Sequence, residues 1–196
     1  MADFETRVEA LTGLDITSSS KPTVTQLSEY LKDGVTDVVD RWILIRPQDA
    51  YLFVRTSSES TSQGGLTSNT GKVISVLRES GTNDDWRECR KIPLGKQSRV
   101  TDVDSLDYAS AYNPAYAISE DGAVLVYPAP SSGGANSYKI YYINSEALNA
   151  ASGAELAYSH SGIRFFPEDK VRLVVVYAGM KSLQAAMGGM HDNADI

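Results

Sequence analysis

The chain has 196 residues, of which 42% are apolar, so it is long enough for one domain with a sizeable insertion and apolar enough for a hydrophobic core. Its formal net charge is -7, from 25 acidic and 18 basic residues, and no basic run stands out, which disfavours a tight nucleic-acid binder. The single cysteine, Cys89, excludes an intrachain disulfide, and no segment has the length and apolar character of a signal peptide or a membrane span. We therefore expect a soluble cytoplasmic product.

The chain opens with a short predicted helix over residues 4–12. Asp3 is suited to cap its amino terminus and Gly13 to end it. Val8 and Leu11 are expected to point inward.

Residues 25–43 carry the longest amphipathic pattern in the sequence. Their apolar side chains recur three and four residues apart, which places them along one side of an α-helix. They are Leu27, Leu31, Val35, Val38, Val39 and Trp42. Gly34, in the middle of this pattern, lowers the stability of the helix by about 1 kcal/mol relative to alanine. It marks either the close approach of another backbone or a tolerated surface glycine.

A second amphipathic pattern covers residues 167–184 near the other end of the chain. Proline in the first turn followed by two acidic residues is typical of a helix start, and Gly188-Gly189 of a helix end. The residues predicted to face inward are Val171, Val174, Val175, Ala178 and Leu183. We predict that this helix and the helix at 25–43 pack against each other.

The region between these helices reads mostly as strands and turns. Strands are predicted at 51–56, 73–78, 86–92, 115–119, 123–127 and 138–143, from their β-branched and aromatic content. The clearest hairpin turns at Gly122, where glycine supplies a positive backbone angle. Residues 101–112 are predicted to form a short capped helix or a coil. The order of strands predicts an antiparallel sheet or small barrel.

Residues 57–69 are polar and contain the pair Gly64-Gly65. They are interpreted either as a disordered surface loop or as a hairpin tip that becomes ordered only against a neighbouring subunit or a DNA-filled channel. If they are an interface element, deleting them is expected to leave the fold intact while impairing assembly.

No group of residues has the spacing of a catalytic, cofactor-binding or metal site. Asp102, Asp104 and Asp107 lack the glycine and the closing glutamate of an EF-hand loop. His160 lies between two serines, but adjacency in sequence does not make a triad. Cys89 is expected to be a packing residue, because no base or metal ligand lies near it in the sequence. We predict a protein that is not an enzyme and binds no cofactor.

The predicted fold is α+β, with the amino- and carboxy-terminal helices packed as a small bundle and an antiparallel β region inserted between them. Residues 1–46 and 160–190 are assigned to the helical core and residues 47–159 to the β-rich insertion. Residues 191–196 form a short polar tail.

This order of elements resembles the head-to-tail connector proteins of tailed bacteriophages, also called adaptor or neck proteins. Several segments also resemble virion structural proteins of marine and cyanobacterial phages. They are MADFETRVEALTGLD, GVTDVVDRW, NDDWRECRKIP, YNPAYAISEDGAVLVYPAP and FFPEDKVRLVVVYAGMKSLQ. The resemblance implies a homo-oligomeric, dodecameric ring in the neck of the virion, assembled in the host cytoplasm.

In such a ring the copies contact the portal protein on one side and a tail or nozzle protein on the other, and DNA passes through with only non-specific contact. An acidic channel wall that repels phosphate would let a duplex slide. Members of the family hold the portal with an extended carboxy-terminal segment, whereas only seven residues follow Gly189. That mode of attachment is therefore not expected here.

We predict interface residues at the flanks of both long helices and in the glycine-containing loop. They are Tyr30, Gly34, Gln63, Gly64, Gly65, Met180, Met187 and Met190. Two other functions also fit the sequence. One is a tail terminator or tail-completion protein with a sheet-dominated fold, and the other is a carbohydrate-binding β module, to which the eleven tyrosines are suited.

Overall fold

The computed structural model describes residues 2–67 and 72–192, with side chains as far as residue 188. Within this part the protein is α+β, with helices near both ends and two sheets between them. The chain divides into two compact units. Residues up to 53 and from 145 onward form the first, here called the helical unit, and residues 54–144 form the second, the β unit.

The first helix of the helical unit, α1, spans Phe4–Thr12 and has the predicted caps. The Asp3 carboxylate accepts the Thr6 N–H at 2.9 Å, and Gly13 ends the helix with φ of 73°. Val8 is fully buried as predicted. Leu11 is not, because 54% of its surface is exposed.

The long helix α2 spans Val24–Ile45. Thr23 and Gln26 form a capping box in which each side chain accepts the backbone N–H of the other residue. The predicted inward residues of this helix are buried, except Trp42, which is only half-buried. The chain then continues as a 3₁₀ helix, Pro47–Phe53, where the sequence had predicted the beginning of a strand.

The closing helix α4 spans Glu168–Asp192 and packs against both α1 and α2, as the two amphipathic patterns predicted. The three helices enclose one core that includes Phe4, Leu31, Val174 and Ala178, with Leu156 and Ile163 contributed by the loop before α4. Residues 47–53 and 145–159 belong to this unit. The β-rich region is therefore shorter than the 47–159 predicted from the sequence, because these flanking segments are mainly 3₁₀ turn and loop that pack with the helices.

The first sheet of the β unit has the strand order β1-β7-β2-β3, and all of its pairs are antiparallel. Its strands are β1 (Val54–Thr56), β2 (Val73–Glu79), β3 (Trp86–Glu88) and β7 (Tyr138–Ile143). Val54 pairs with Ile143, and Leu77 pairs with Glu88 on one side of β2 and with Lys139 on the other. The strand β7 therefore occupies a central position between β1 and β2.

The second sheet has the order β4-β5-β6. Its strands are β4 (Arg90–Lys91), β5 (Ala115–Ile118) and β6 (Val124–Tyr127). The hairpin between β5 and β6 is confirmed, with Gly122 at φ of 80°. The two-residue β4 pairs with β5 in parallel, so the β region is not purely antiparallel.

The predicted strand at 86–92 is divided between the two sheets. It breaks at Cys89, a buried residue between β3 and β4. Residues 97–112 contain a five-residue helix, α3 (Gln97–Thr101), followed by a series of turns. The predicted helix or coil at 101–112 is therefore a turn-rich loop.

Candidate functional site

The helix α4 has apolar residues on two opposite sides. One side is buried against α1 and α2 and includes Val171, Val174, Val175 and Ala178. On the other side five large apolar side chains face solvent. They are Leu173 (41% exposed), Val176 (36%), Met180 (53%), Leu183 (41%) and Met187 (68%). We call these five residues the outer stripe.

The spacing within the outer stripe is three, four, three and four residues, which is the repeat of a coiled-coil seam. At 100° per residue the five positions fall on one side of the helix, roughly opposite the buried residues. The stripe is about 21 Å long at 1.5 Å per residue. An exposed apolar row of this period and length is suited to knobs-into-holes packing against another helix.

An apolar groove of about 370 Å³ lies beside the outer stripe, between α1 and α4. Its floor is formed by Ala10, Leu11, Val175 and Val176, and two arginines, Arg7 and Arg172, also line it. The groove therefore widens the apolar surface from one helix to two.

Two of the predicted interface residues pack against the core of the helical unit. Gly34 is buried against α4, where a Cβ atom would lie 3.1 Å from Cδ1 of Tyr177 and 3.2 Å from Cγ1 of Val174. This contact settles the choice left open by the sequence, since the glycine allows the close approach of α2 to α4 of the same chain. Tyr30 is half-buried and packs against the helical core.

Met180 and Met187, also predicted at the interface, both lie in the outer stripe. Met190 continues the spacing three residues beyond Met187, but its side chain is outside the described residues. The sequence prediction did not include Leu173 and Val176. It placed Leu183 in the core, whereas the structure exposes this side chain to solvent. The regular spacing of these residues was the signal that could have identified the second face.

Gln63, Gly64 and Gly65 lie along the outer edge of β6. The Gln63 side chain accepts the Val126 N–H at 3.1 Å, and the Val124 N–H donates to the carbonyl of Leu66 at 2.9 Å. Gln63 and Gly65 remain exposed to solvent, while Gly64 is half-buried. Residues 57–67 are thus neither a disordered loop nor dependent on a neighbouring subunit for their order, whereas residues 68 and 69 of the predicted loop lie outside the described residues.

Two further groups of apolar side chains are exposed. Leu44 (82%) and Ile45 (74%) form the end of α2. Val103 (74%) and Leu106 (108%) project from the loop that follows α3. Oδ2 of Asp107 in this loop lies 3.2 Å from Nζ of Lys96. This ion pair connects the loop that carries Val103 and Leu106 to the segment that precedes α3.

A buried polar pair lies at the end of β2 in the β unit. The Arg78 guanidinium donates to the carbonyls of Pro128 and Glu79, and the Glu79 carboxylate accepts the hydroxyl of Ser137 at 2.6 Å and its N–H at 3.0 Å. Burial alone raises the pKa of Glu79, but the hydrogen bonds from Ser137 and from the backbone of Asp84 outweigh it and hold that pKa below its ordinary value.

The groups that carry chemistry elsewhere in proteins are dispersed in this chain. Burial raises the pKa of the Cys89 thiol to about 12, so this thiol is protonated at neutral pH. Among the side chains that the structure describes, in residues 2–67 and 72–188, no three from His, Cys, Asp or Glu come together as a metal site. Nor does any helix in this part of the chain have an apolar run that could span a lipid bilayer.

The outer stripe is therefore the most distinctive surface of the helical unit, and it is suited to binding another protein surface rather than a small polar ligand. Comparison of the chain with protein-family models and with curated proteins gives no match, so the function is argued from these residues and their geometry.

Proposed function

We propose that this protein is a non-enzymatic structural protein of a tailed-bacteriophage virion. Its copies form a ring between the portal and the tail, and DNA passes through that ring. The proposal combines the resemblance described from the sequence with one observation from the structure, the outer stripe of α4. A helix with a buried face and a second, exposed apolar face has the surface expected of a subunit that packs against neighbours of the same kind.

A closed ring requires two different surfaces on each copy, since a head-to-tail interface joins unlike patches. The helical unit offers two such surfaces on different helices. One is the outer stripe of α4, and the other is the exposed end of α2 at Leu44 and Ile45. The stripe faces away from α2, because the opposite side of α4 is the one buried against it. A contact between the stripe of one copy and the α2 end of the next would satisfy the requirement.

The other partners of the proposed ring are the portal protein and a tail or nozzle protein. Val103 and Leu106 are suited to such a contact, because two exposed aliphatic side chains on one loop form apolar surface that a partner could cover. The net charge of -7 is consistent with a channel through which DNA slides without binding tightly.

The proposal is tested by native mass spectrometry of the protein alone and in the presence of the portal protein. We expect a ring of about a dozen copies, as the family resemblance implies, formed either alone or on the portal. Obligate interfaces of this kind usually bury roughly 2,000 Å² or more. Leu183→Glu, in the centre of the outer stripe, should abolish the ring, since it places a charge in an apolar contact.

Leu94→Glu is the matched control. Leu94 has nearly the same exposure, 43% against 41% for Leu183, but lies in the β unit. It should leave the ring intact. A protein that stays monomeric with and without the portal, or a ring that tolerates Leu183→Glu, would contradict the proposal. Capping of tail tubes in place of portal binding would instead support the tail-completion function, and glycan binding by a stable monomer would support the carbohydrate-binding module.

A further inference from the structure

One cavity of the helical unit is separate from the outer stripe. It has a volume of about 720 Å³ and lies between α1, the loop before α4, and the first turns of α4. This volume is within the range of small-molecule sites in proteins. None of the five outer-stripe residues lines it. Ring formation through the stripe therefore gives no explanation for this cavity.

The wall of the cavity is mainly apolar. Ile163, Phe166 and Val171 supply its larger side chains, and alanine and glycine residues form much of the remainder. Asn149 also lines it, but its amide already donates to Ser152 Oγ at 2.9 Å and its side-chain oxygen accepts the Ala151 N–H at 3.2 Å. An apolar group can therefore fill most of the space.

Arg7 is the one cationic side chain among the residues that line the cavity. Its guanidinium carbon lies 5.4 Å from the centre of the Phe4 ring, and that ring is fully buried. Nη1 of Arg7 is itself buried and has no hydrogen-bond partner among the described residues. Since a buried guanidinium nitrogen without an acceptor is costly, a turn of the Arg7 side chain that brings this nitrogen to an acceptor from outside the chain would be favourable.

We propose that the cavity binds a carboxylate attached to an apolar group, with Arg7 as the anchor for the carboxylate. The planar guanidinium matches a carboxylate with two parallel hydrogen bonds. A phosphate fits less well, because only one cation lines the cavity and Glu168 on the same wall would repel a doubly charged anion. The carboxylate can come from a free organic acid or from the last residue of a polypeptide with an apolar side chain.

The test uses two pairs of probes that differ only in the carboxylate. The first pair is 3-phenylpropionate and 3-phenylpropionamide. The second is the peptide acetyl-Ala-Ala-Phe with a free carboxyl terminus and the same peptide with a carboxamide. Binding is followed in the full chain through the methyl NMR signals of Ile163 and Val171, which line the cavity. We expect at least one acid to bind and its amide to bind about tenfold more weakly, in keeping with a hydrogen bond to a charged group.

Three variants test the role of Arg7. Arg7→Gln should weaken binding of the acid about tenfold, and Arg7→Lys should weaken it less, because it keeps the charge but loses the second hydrogen bond. Glu168→Gln should strengthen binding, because it removes a negative charge from the wall. Arg172→Gln is the matched control, since Arg172 lines the neighbouring groove but not the cavity.

A thermal melt of each variant establishes that it is folded. Equal binding of an acid and its amide, affinity unchanged in Arg7→Gln, or no binding by either acid would overturn the proposal. If only the organic acid binds, the ligand is a small molecule, and if only the peptide binds, it is a chain end. Because ring formation is measured separately, either proposal can fail while the other holds.

Discussion

The two units of the chain differ in whether their own residues cover the surfaces that another copy could bind. The β unit covers the edge of β6 with its own residues 63–66, through the Gln63 side chain and the carbonyl of Leu66. The other edge strands are only two or three residues long, which limits pairing with another chain. The helical unit instead leaves the apolar outer stripe exposed on a regular helix.

This difference indicates where association between copies should occur. A protein that closes its sheet edges and exposes a helix face is protected against strand-to-strand addition but open to helix packing. The following experiments test each side of the comparison.

Deleting residues 57–69 should cause the largest loss of stability, and this loss should be confined to the β unit. Ser57 and Ser60 pair with Ile140 and Tyr138 of the central strand β7 through four hydrogen bonds of 2.9 to 3.0 Å. At about 1 kcal/mol each these bonds are a large part of the stability of a small domain. The sequence alone predicts that this deletion leaves the fold intact and impairs only assembly.

The measurement is hydrogen exchange of β7 amides, with the α4 amides as an internal reference. We expect β7 to lose protection while α4 keeps it. Unchanged protection of β7 after the deletion would show that residues 57–69 are only a linker.

Val174→Ala and Val176→Ala compare the two faces of α4 with the same substitution. Val174 is fully buried, so its truncation should lower the free energy of unfolding by about 2 kcal/mol. Val176 is 36% exposed, so its truncation should change stability by less than about 0.5 kcal/mol but weaken association. Denaturant unfolding and native mass spectrometry measure the two effects. Equal stability losses would mean that the stripe is part of the core.

The smallest expected effect is a pH dependence confined to the β unit. The pKa of Glu79 is lowered in the folded protein, so its hydrogen bonds contribute stability above the ordinary pKa of 4.5 and lose it as the pH falls through the lower, folded value. Glu79→Gln should reduce the change in stability between pH 5 and more acidic solution, because glutamine does not titrate. A variant with the same acid profile as the wild type would assign the pH dependence to other carboxylates.

The helices and the main hairpin could be predicted because their signals are local. Asp3 and Gly122 act within three residues of the positions they influence, and the inward residues of α2 follow one simple repeat. The break at Cys89 gave no such signal, because the residues on both sides have similar strand propensity and the change of sheet depends on their partners.

The candidate site was only partly predictable for a related reason. A helix that is apolar on two sides does not reveal which side faces its own core, so Leu183 was assigned to the wrong face. The bond between Gln63 and Val126 joins residues 63 positions apart, and the pairing of such residues depends on the whole fold. Arg7 has no distinguishing feature in the sequence, because a single arginine becomes distinctive only when its surroundings are known.

The Gly34 contact restricts the direction in which the outer stripe faces. Gly34 of α2 lies against Val174 and Tyr177 of α4, and a Cβ atom at this position would also lie 3.4 Å from the carbonyl oxygen of Val174. The neighbouring contact at Gly179 is less restrictive, because it is made by the tip of the exposed Leu11 side chain, which can move aside. A larger residue at Gly34 would shift α4 and turn the stripe, and it would therefore weaken the joining of copies although Gly34 does not belong to the contact surface.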